Sequence, residues 1–206
     1  MYTGIIHSAE PVVAVTQKPG LTTLVVRFTP DLLRDLHIGA SVALDGVCLT
    51  VTKVYEQEVS FDLMGETLTR TTLGDLALAQ KVNIERSTTF GAEVGGHLTA
   101  GHVSGRAEIV HIDTPKNNYI ITLRLPHELM KYVFSKGFIA LHGASLTLVD
   151  VDKIHDTCTV WLIPETLRLT NFGDKKIGDF LNIEIDSQTQ AIVDTVEAYM
   201  RAADKS

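Results

Sequence analysis

The sequence predicts a mainly β protein: two copies of one small closed β-barrel in tandem, with a helix after the second. Three observations predict it. The stretch SVALDGVCLTV (41–51) returns as GFIALHGASLTLV (137–149), and matched stretches continue on both sides of it. Short runs rich in β-branched residues alternate with glycines in both copies. Residues 187–206 carry an apolar stripe at helical spacing that has no counterpart in the first copy.

Each element follows from its residues. Residues 22–28 (TTLVVRF), 48–54 (CLTVTKV), 58–63 (EVSFDL) and 81–85 (KVNIE) largely alternate, which is the period of a half-buried strand. Residues 29–36 (TPDLLRDL) place a proline where the first turn of a short helix tolerates it. Gly39, Gly46 and Gly74 mark turns. The second copy repeats the order: 125–132 answers 29–36, 140–148 answers 43–51 at an offset of 97, and 161–174 answers 62–75 at 99. Residues 181–184 answer 82–85 at 99, and Gly137, Gly143 and Gly173 repeat the turn glycines. About six short strands in under a hundred residues suggest a barrel, because closure removes exposed strand edges. The linker falls at 86–96, giving barrels over 1–90 and 91–186 and a helix over 187–206. In that helix Ile192, Val196, Tyr199 and Met200 share a face, which packs either on its own barrel or on the same helix of another subunit.

Composition excludes several classes. A formal charge of -7 with scattered Lys and Arg is unsuited to binding nucleic acid. The start, MYTGIIHSAE, shows no signal peptide, and every apolar run is too short to span a membrane, so a cytoplasmic protein is expected. Cys48 and Cys158 have no Cys-x-x-Cys spacing, which argues against a disulfide framework and a zinc ribbon. His97 and His102 stand five apart, a spacing that suits neither a helix face nor a strand face, so a zinc site is not supported, and no phosphate-binding loop is present.

No single residue decides the chemistry. Cys48 fits a proton donor or nucleophile, and equally a small buried hydrophobe. Ser41 and Ser145 fit backbone-bonded turn residues, and Thr50 and Thr147 fit ordinary strand positions. His102 can exchange a proton near neutral pH, although a structural histidine is the commoner case.

Together, MYTGII, GASVALDGVCLTV, SFDLMGETL, GGHLTAGHV, KGFIALHGASLTL, LIPETL and NIEIDSQTQAIVDTVE closely resemble the riboflavin synthase family of the alpha-chain type, in family order over nearly the whole chain. The resemblance implies two six-stranded Greek-key barrels with a C-terminal helix, assembled as a homotrimer. It implies a dismutation in which one 6,7-dimethyl-8-ribityllumazine gives four carbons to another, yielding riboflavin and 5-amino-6-(ribitylamino)uracil without cofactor or metal. In the first barrel it places ligand contacts on Gly4, Ile5, Ile6, Cys48, Leu49, Thr50, Asp62, Leu63, Met64, Gly65, Glu66 and Thr67, with Tyr2 beside them. In the second it places them on Gly101, His102, Val103, Ser145, Leu146, Thr147, Trp161, Leu162, Ile163, Pro164, Glu165 and Thr166, with Lys136 added from a neighbouring chain. Ser41, Cys48 and His102 are the groups suited to move protons.

Two positions depart from the family: Tyr2 stands where phenylalanine is usual, and His142 where an acidic residue is usual. Histidine suits the positive φ of such a turn and titrates near neutrality, so activity sensitive to pH between about 5.5 and 7.5 is expected. A lumazine- or flavin-binding antenna protein without catalysis is the alternative, although such a binder is expected to degrade one pocket and both copies here keep theirs.

Overall fold

The computed structural model describes residues 1–116 and 118–204; positions 205 and 206 of the expected helical segment lie outside the described residues. The first barrel contains β1 (Ser8–Lys18), β2 (Leu21–Arg27), β3 (Ser41–Leu44), β4 (Val47–Tyr55), β5 (Glu58–Met64) and β6 (Lys81–Arg86). Its antiparallel order is β1-β2-β5-β4-β3-β6, closed by pairing of Ser8 with Ile84. Because β2 pairs with β5 and not with β3, the chain must cross the barrel end between β2 and β3; this is the Greek-key step. The crossing is made by α1 (Pro30–Leu33), which has Pro30 in its first turn and buries Leu32 in the barrel core. After β5 comes α2 (Gly65–Arg70).

The second barrel repeats this with β7 (Gly105–Asp113), β8 (Tyr119–Arg124), β9 (Phe138–Leu141), β10 (Ala144–Asp152), β11 (Thr157–Leu162) and β12 (Phe180–Ile185), and with α3 (Pro164–Leu169) after β11. Pairing of β12 with β7 closes it. Here the crossing segment His127–Tyr132 is a 3-10 helix, and Met130 takes the part of Leu32. Alternation sends one face of each strand inward: Leu24, Val26, Val59, Phe61 and Leu63 fill the first core, and Ile121, Leu123, Val160 and Leu162 the second. Emptying a position as large as Phe61 or Phe172 would cost about 3–5 kcal/mol.

The barrels meet through matched hairpin turns. Asp45-Gly46 and His142-Gly143 both take positive φ at both residues, the pattern that two-residue hairpins favour. The asparagines of VNIE and LNIE lock the contact reciprocally: Asn83 Nδ2 donates to the His142 carbonyl at 3.0 Å, and Asn182 Nδ2 to the Asp45 carbonyl at 2.9 Å. Asn83 Oδ1 accepts from the Asn171 amide of the opposite half, as Asn182 Oδ1 does from that of Thr72.

The tail forms α4 (Ser187–Ala203), capped by Asp186, whose carboxylate accepts from the Thr189 amide at 2.9 Å. Its polar face is tied to the second barrel, with Lys131 Nζ 2.9 Å from both Asp194 and Glu197 and the Tyr132 hydroxyl donating to Asp194 at 2.6 Å. Ile192, Val196, Tyr199 and Met200 are all more than half exposed, so its own barrel does not cover the apolar stripe.

Candidate active site

The segments that precede the barrels are exchanged between them. Tyr2 and Thr99, which the repeat makes equivalent, pair back to back across the molecule, with N–H to carbonyl distances of 2.9 and 3.0 Å. From this crossing the first segment runs onto the second barrel: the Ser145 amide donates to the Gly4 carbonyl at 2.8 Å, and Ile6 joins the second core. The other segment runs onto the first barrel, where the Cys48 amide donates to the Gly101 carbonyl at 3.0 Å and Val103 packs on the first core. The grouping expected from sequence is therefore corrected. Gly4 lies against Ser145 with Ile6 in the second core, and Gly101 against Cys48 with Val103 on the first core.

Two glycines make the close approach possible. Gly4 has φ +73°, and a Cβ on it would fall 2.5 Å from Ser145 Cβ; Gly101 has φ +77°, and its Cβ would fall 2.6 Å from Cys48 Cβ. The glutamates of VNIE and LNIE clamp the segments. Glu85 accepts from the Thr3 amide at 2.7 Å, the Thr3 hydroxyl at 2.9 Å and the Gly4 amide at 3.1 Å. Glu184 accepts from the amides of Ala100 at 2.6 Å and Gly101 at 2.9 Å. Burial raises the pKa of both carboxyls, and these hydrogen bonds oppose the rise.

Strand alternation decides which expected contacts face outward. Thr50, Asp62 and Met64 are exposed on the first barrel, and Thr147, Trp161 and Ile163 on the second. Ile6, Leu49, Leu63 and Leu162 point into the cores, so only their main chain is offered to a ligand. Leu146 is half-buried against the second core. Gly65, Glu66 and Thr67 open α2, as Pro164, Glu165 and Thr166 open α3, where Arg168 holds Glu165 at 2.9 and 2.5 Å. Asp62 accepts from the Thr23 hydroxyl at 2.8 Å. Lys136 is exposed on the turn before β9, its amide donating to the Leu148 carbonyl at 2.8 Å. Exposed Ile5 and His102 hold matched positions, each bordering an open groove. The one at Ile5, Thr3 and Glu85 is about 530 Å³, and the one at His102, Val103 and Arg70 about 480 Å³.

The proton-bearing groups of the two faces have different partners. In the first, the Tyr2 hydroxyl donates to Cys48 Sγ at 3.1 Å; Tyr2 is only 1% exposed, so its ring is a core group. Ser41 lies opposite Thr50, and its carbonyl accepts from the Ser87 hydroxyl at 2.9 Å. In the second, His97 Nδ1 is 2.6 Å from Ser145 Oγ, and the His97 ring stacks on Phe138 at 5.3 Å between centroids. Burial lowers the His97 pKa and so favours the neutral ring. The sequence offered no sign of this role, because the repeat gives His97 no counterpart. Cys158 is buried with its thiol pushed up to about 12, which makes it inert beside Cys48. Among the described residues, no three or more His, Cys, Asp and Glu are grouped to hold a metal ion.

His142 keeps its turn by copying Asp45. The Asn83 amide donates to Asp45 Oδ1 at 2.8 Å, and the Asn182 amide donates to His142 Nδ1 at 3.0 Å. A ring that accepts at Nδ1 must carry its proton on Nε2 and be neutral. Burial, with Lys175 nearby, depresses the His142 pKa well below the usual histidine value. The expectation that residue 142 titrates near neutrality is therefore overturned by its complete burial.

Two closed barrels, each lending its leading segment to an open face on the other, define an internally duplicated small-molecule-binding protein. A family model for the lumazine binding domain matches residues 3–87 and again 100–186. The chain belongs to that family. It is 46% identical over 207 residues to the riboflavin synthase of Escherichia coli (strain K12), covering 100% of this chain and 96% of that protein. It is 44% identical over 205 residues to that of Chlamydia pneumoniae, covering 100% of both, and 37% identical over 186 residues to that of Bacillus subtilis (strain 168), covering 90% and 85%. The same fold occurs in LumP complexed with riboflavin (TM-score 0.85, 22% identity, 91% of this chain and 100% of that one). It recurs in LumP complexed with 6,7-dimethyl-8-(1'-D-ribityl) lumazine (TM-score 0.82, 21% identity, with the same coverage).

Proposed function

We propose that the chain has riboflavin synthase activity, converting two molecules of 6,7-dimethyl-8-ribityllumazine into riboflavin and 5-amino-6-(ribitylamino)uracil. One observation carries the reading: the exchanged segments build two faces of the same frame that differ where protons can move, Cys48 with Tyr2 on one and Ser145 with His97 on the other. Like frames suit two copies of one molecule. Unlike polar groups let one copy give four carbons and the other receive them. Atoms balance between two lumazines and the two products, so no oxidant, reductant or carrier is needed.

Within this reading, the main chain of 4–6 with 145–147, and of 101–103 with 48–50, offers polar edges to the ring systems. Outward Trp161, Ile163 and Met64 offer apolar cover. Cys48, Ser41 and His102 exchange protons as a methyl group of one lumazine becomes a carbanion and attacks the other ring. Because the substrate is itself reactive, holding two rings in register supplies much of the rate.

A homotrimer with the site shared between subunits belongs to the same proposal. Both faces are open, so a neighbour's opposite face is needed to enclose a ligand, and the uncovered stripe of α4 supplies a surface for assembly. Lys136 would then reach the site of a neighbouring chain. No helix of the described residues is long and apolar enough to cross a membrane, and a cytoplasmic location completes the proposal. Incubating the purified protein with the lumazine alone tests the activity: riboflavin should accumulate. Tight binding without product would instead assign the non-catalytic, antenna-type role.

A further inference from the structure

The Tyr2 hydroxyl is the one polar atom of an otherwise core-packed ring, and it is spent on a sulfur. Its O–H donates to Cys48 Sγ across 3.1 Å, while the Cys48 amide is held by Gly101 at 3.0 Å. Residue 48 is thus held by two different segments, one leading each barrel: its thiol by Tyr2 and its main chain by Gly101. The second face has no such arrangement: Thr99 stands at the position equivalent to Tyr2, and Ser145 is met by an imidazole. A phenol hydrogen-bonded to sulfur occupies a sulfur lone pair and leaves the S–H to turn elsewhere. Cys48 is half-buried, so elsewhere includes the open face.

We propose that Tyr2 is a positioning residue for Cys48: its hydroxyl orients the thiol toward the ligand face and stabilises the sulfur when it gives up its proton. A donor aimed at sulfur strengthens as negative charge develops there, because hydrogen bonds to ionised groups are about twice as strong as neutral ones. Burial and the neighbouring Cys48 both raise the phenol pKa, so Tyr2 remains a donor across the working range. The proposal deepens the synthase reading, since it rests on Cys48 exchanging protons with bound lumazine. Its test is independent of turnover.

Tyr2→Phe removes only the hydroxyl and keeps the ring that fills the core. Alkylation of Cys48 by iodoacetamide at one fixed pH is followed by mass spectrometry, with buried Cys158 as the internal marker of an intact fold. Cys48 should react about tenfold more slowly in Tyr2→Phe, because the sulfur loses a donor that strengthens as it becomes charged. An unchanged rate overturns the proposal. Should Cys158 become reactive and reveal unfolding, 3-fluorotyrosine at position 2 keeps ring and hydroxyl while strengthening the donor. It should speed the alkylation, and no change again overturns the proposal. If the synthase reading also holds, Tyr2→Phe lowers kcat at unchanged KM.

Discussion

His142 Nε2 and Asp45 Oδ2 face each other across the barrel interface at 3.9 Å, both fully buried and neither hydrogen-bonded to another side chain or to the backbone. Charge separation here is not a salt bridge in the usual sense, because the Asn182 amide occupies His142 Nδ1 and keeps the ring neutral. Burial raises Asp45 to about 6, against the opposing pull of Lys175 and of hydrogen bonds from Asn83 and Asn171. The two residues respond to acid in opposite senses. A depressed histidine contributes stability that is full above about 6.5 and is lost as pH falls; a raised aspartate contributes stability that is full below about 4 and is lost as pH rises through about 6.

His142→Asp removes this balance. It sets a second buried carboxyl against Asp45, and one of the two must remain protonated. Stability of the variant should then fall as pH rises from about 5 to 8, by about 1–3 kcal/mol relative to the parent, whose contributions from this pair offset each other in the acid half of that range. Paired thermal melts across pH check it. Parallel curves would contradict it. The parent's turnover should show no step between about 5.5 and 7.5 that His142→Asp removes.

Gly4→Ala and Gly101→Ala should each cost about 2–3 kcal/mol, from a left-handed backbone and a Cβ driven into the opposite barrel. Each should detach one segment from one face. Hydrogen exchange should quicken at the Ser145 amide in the first variant and at the Cys48 amide in the second, with the remaining strands protected.

Cys48→Ser should keep lumazine binding and lower turnover, since a hydroxyl is a weaker acid than a thiol. Ligand fluorescence and riboflavin formation, measured on one preparation, should separate. Turnover equal to the parent's would leave Cys48 as a packing residue.

If the chain forms the proposed trimer through α4, glutamates at both Ile192 and Val196 should dissociate it while leaving the barrels within about 1 kcal/mol of the parent, because neither side chain is buried within the chain. Sedimentation reads the first effect and thermal melts the second. An intact trimer would assign α4 another role.

Much of this was legible in the sequence. Alternation and the turn at 45–46 announce a barrel, and the offsets of 97 and 99 announce a second. The same offsets hid the exchange of segments. Position 4 maps to 101 and 48 to 145 whether each segment stays on its own barrel or crosses, so a repeat cannot tell the two apart; the clue was physical, in glycines that leave room for another backbone. Glu85 and Glu184 were visible as repeated letters, yet nothing local marks a strand-end glutamate as a clamp. His97, lacking a counterpart, carried no signal. At 142 the turn was readable and the titration was not, because burial on the barrel interface is a property of tertiary structure.

In the proposed reaction, two matched faces hold two copies of one substrate and both copies are consumed together. The most direct measurement is the stoichiometry of the closed reaction: lumazine as the only small-molecule reactant, with both products quantified by chromatography. Two lumazines should be lost for each riboflavin formed, with the pyrimidine equal to riboflavin throughout. Lumazine bound but unconsumed, or riboflavin formed without an equal amount of pyrimidine, would contradict it.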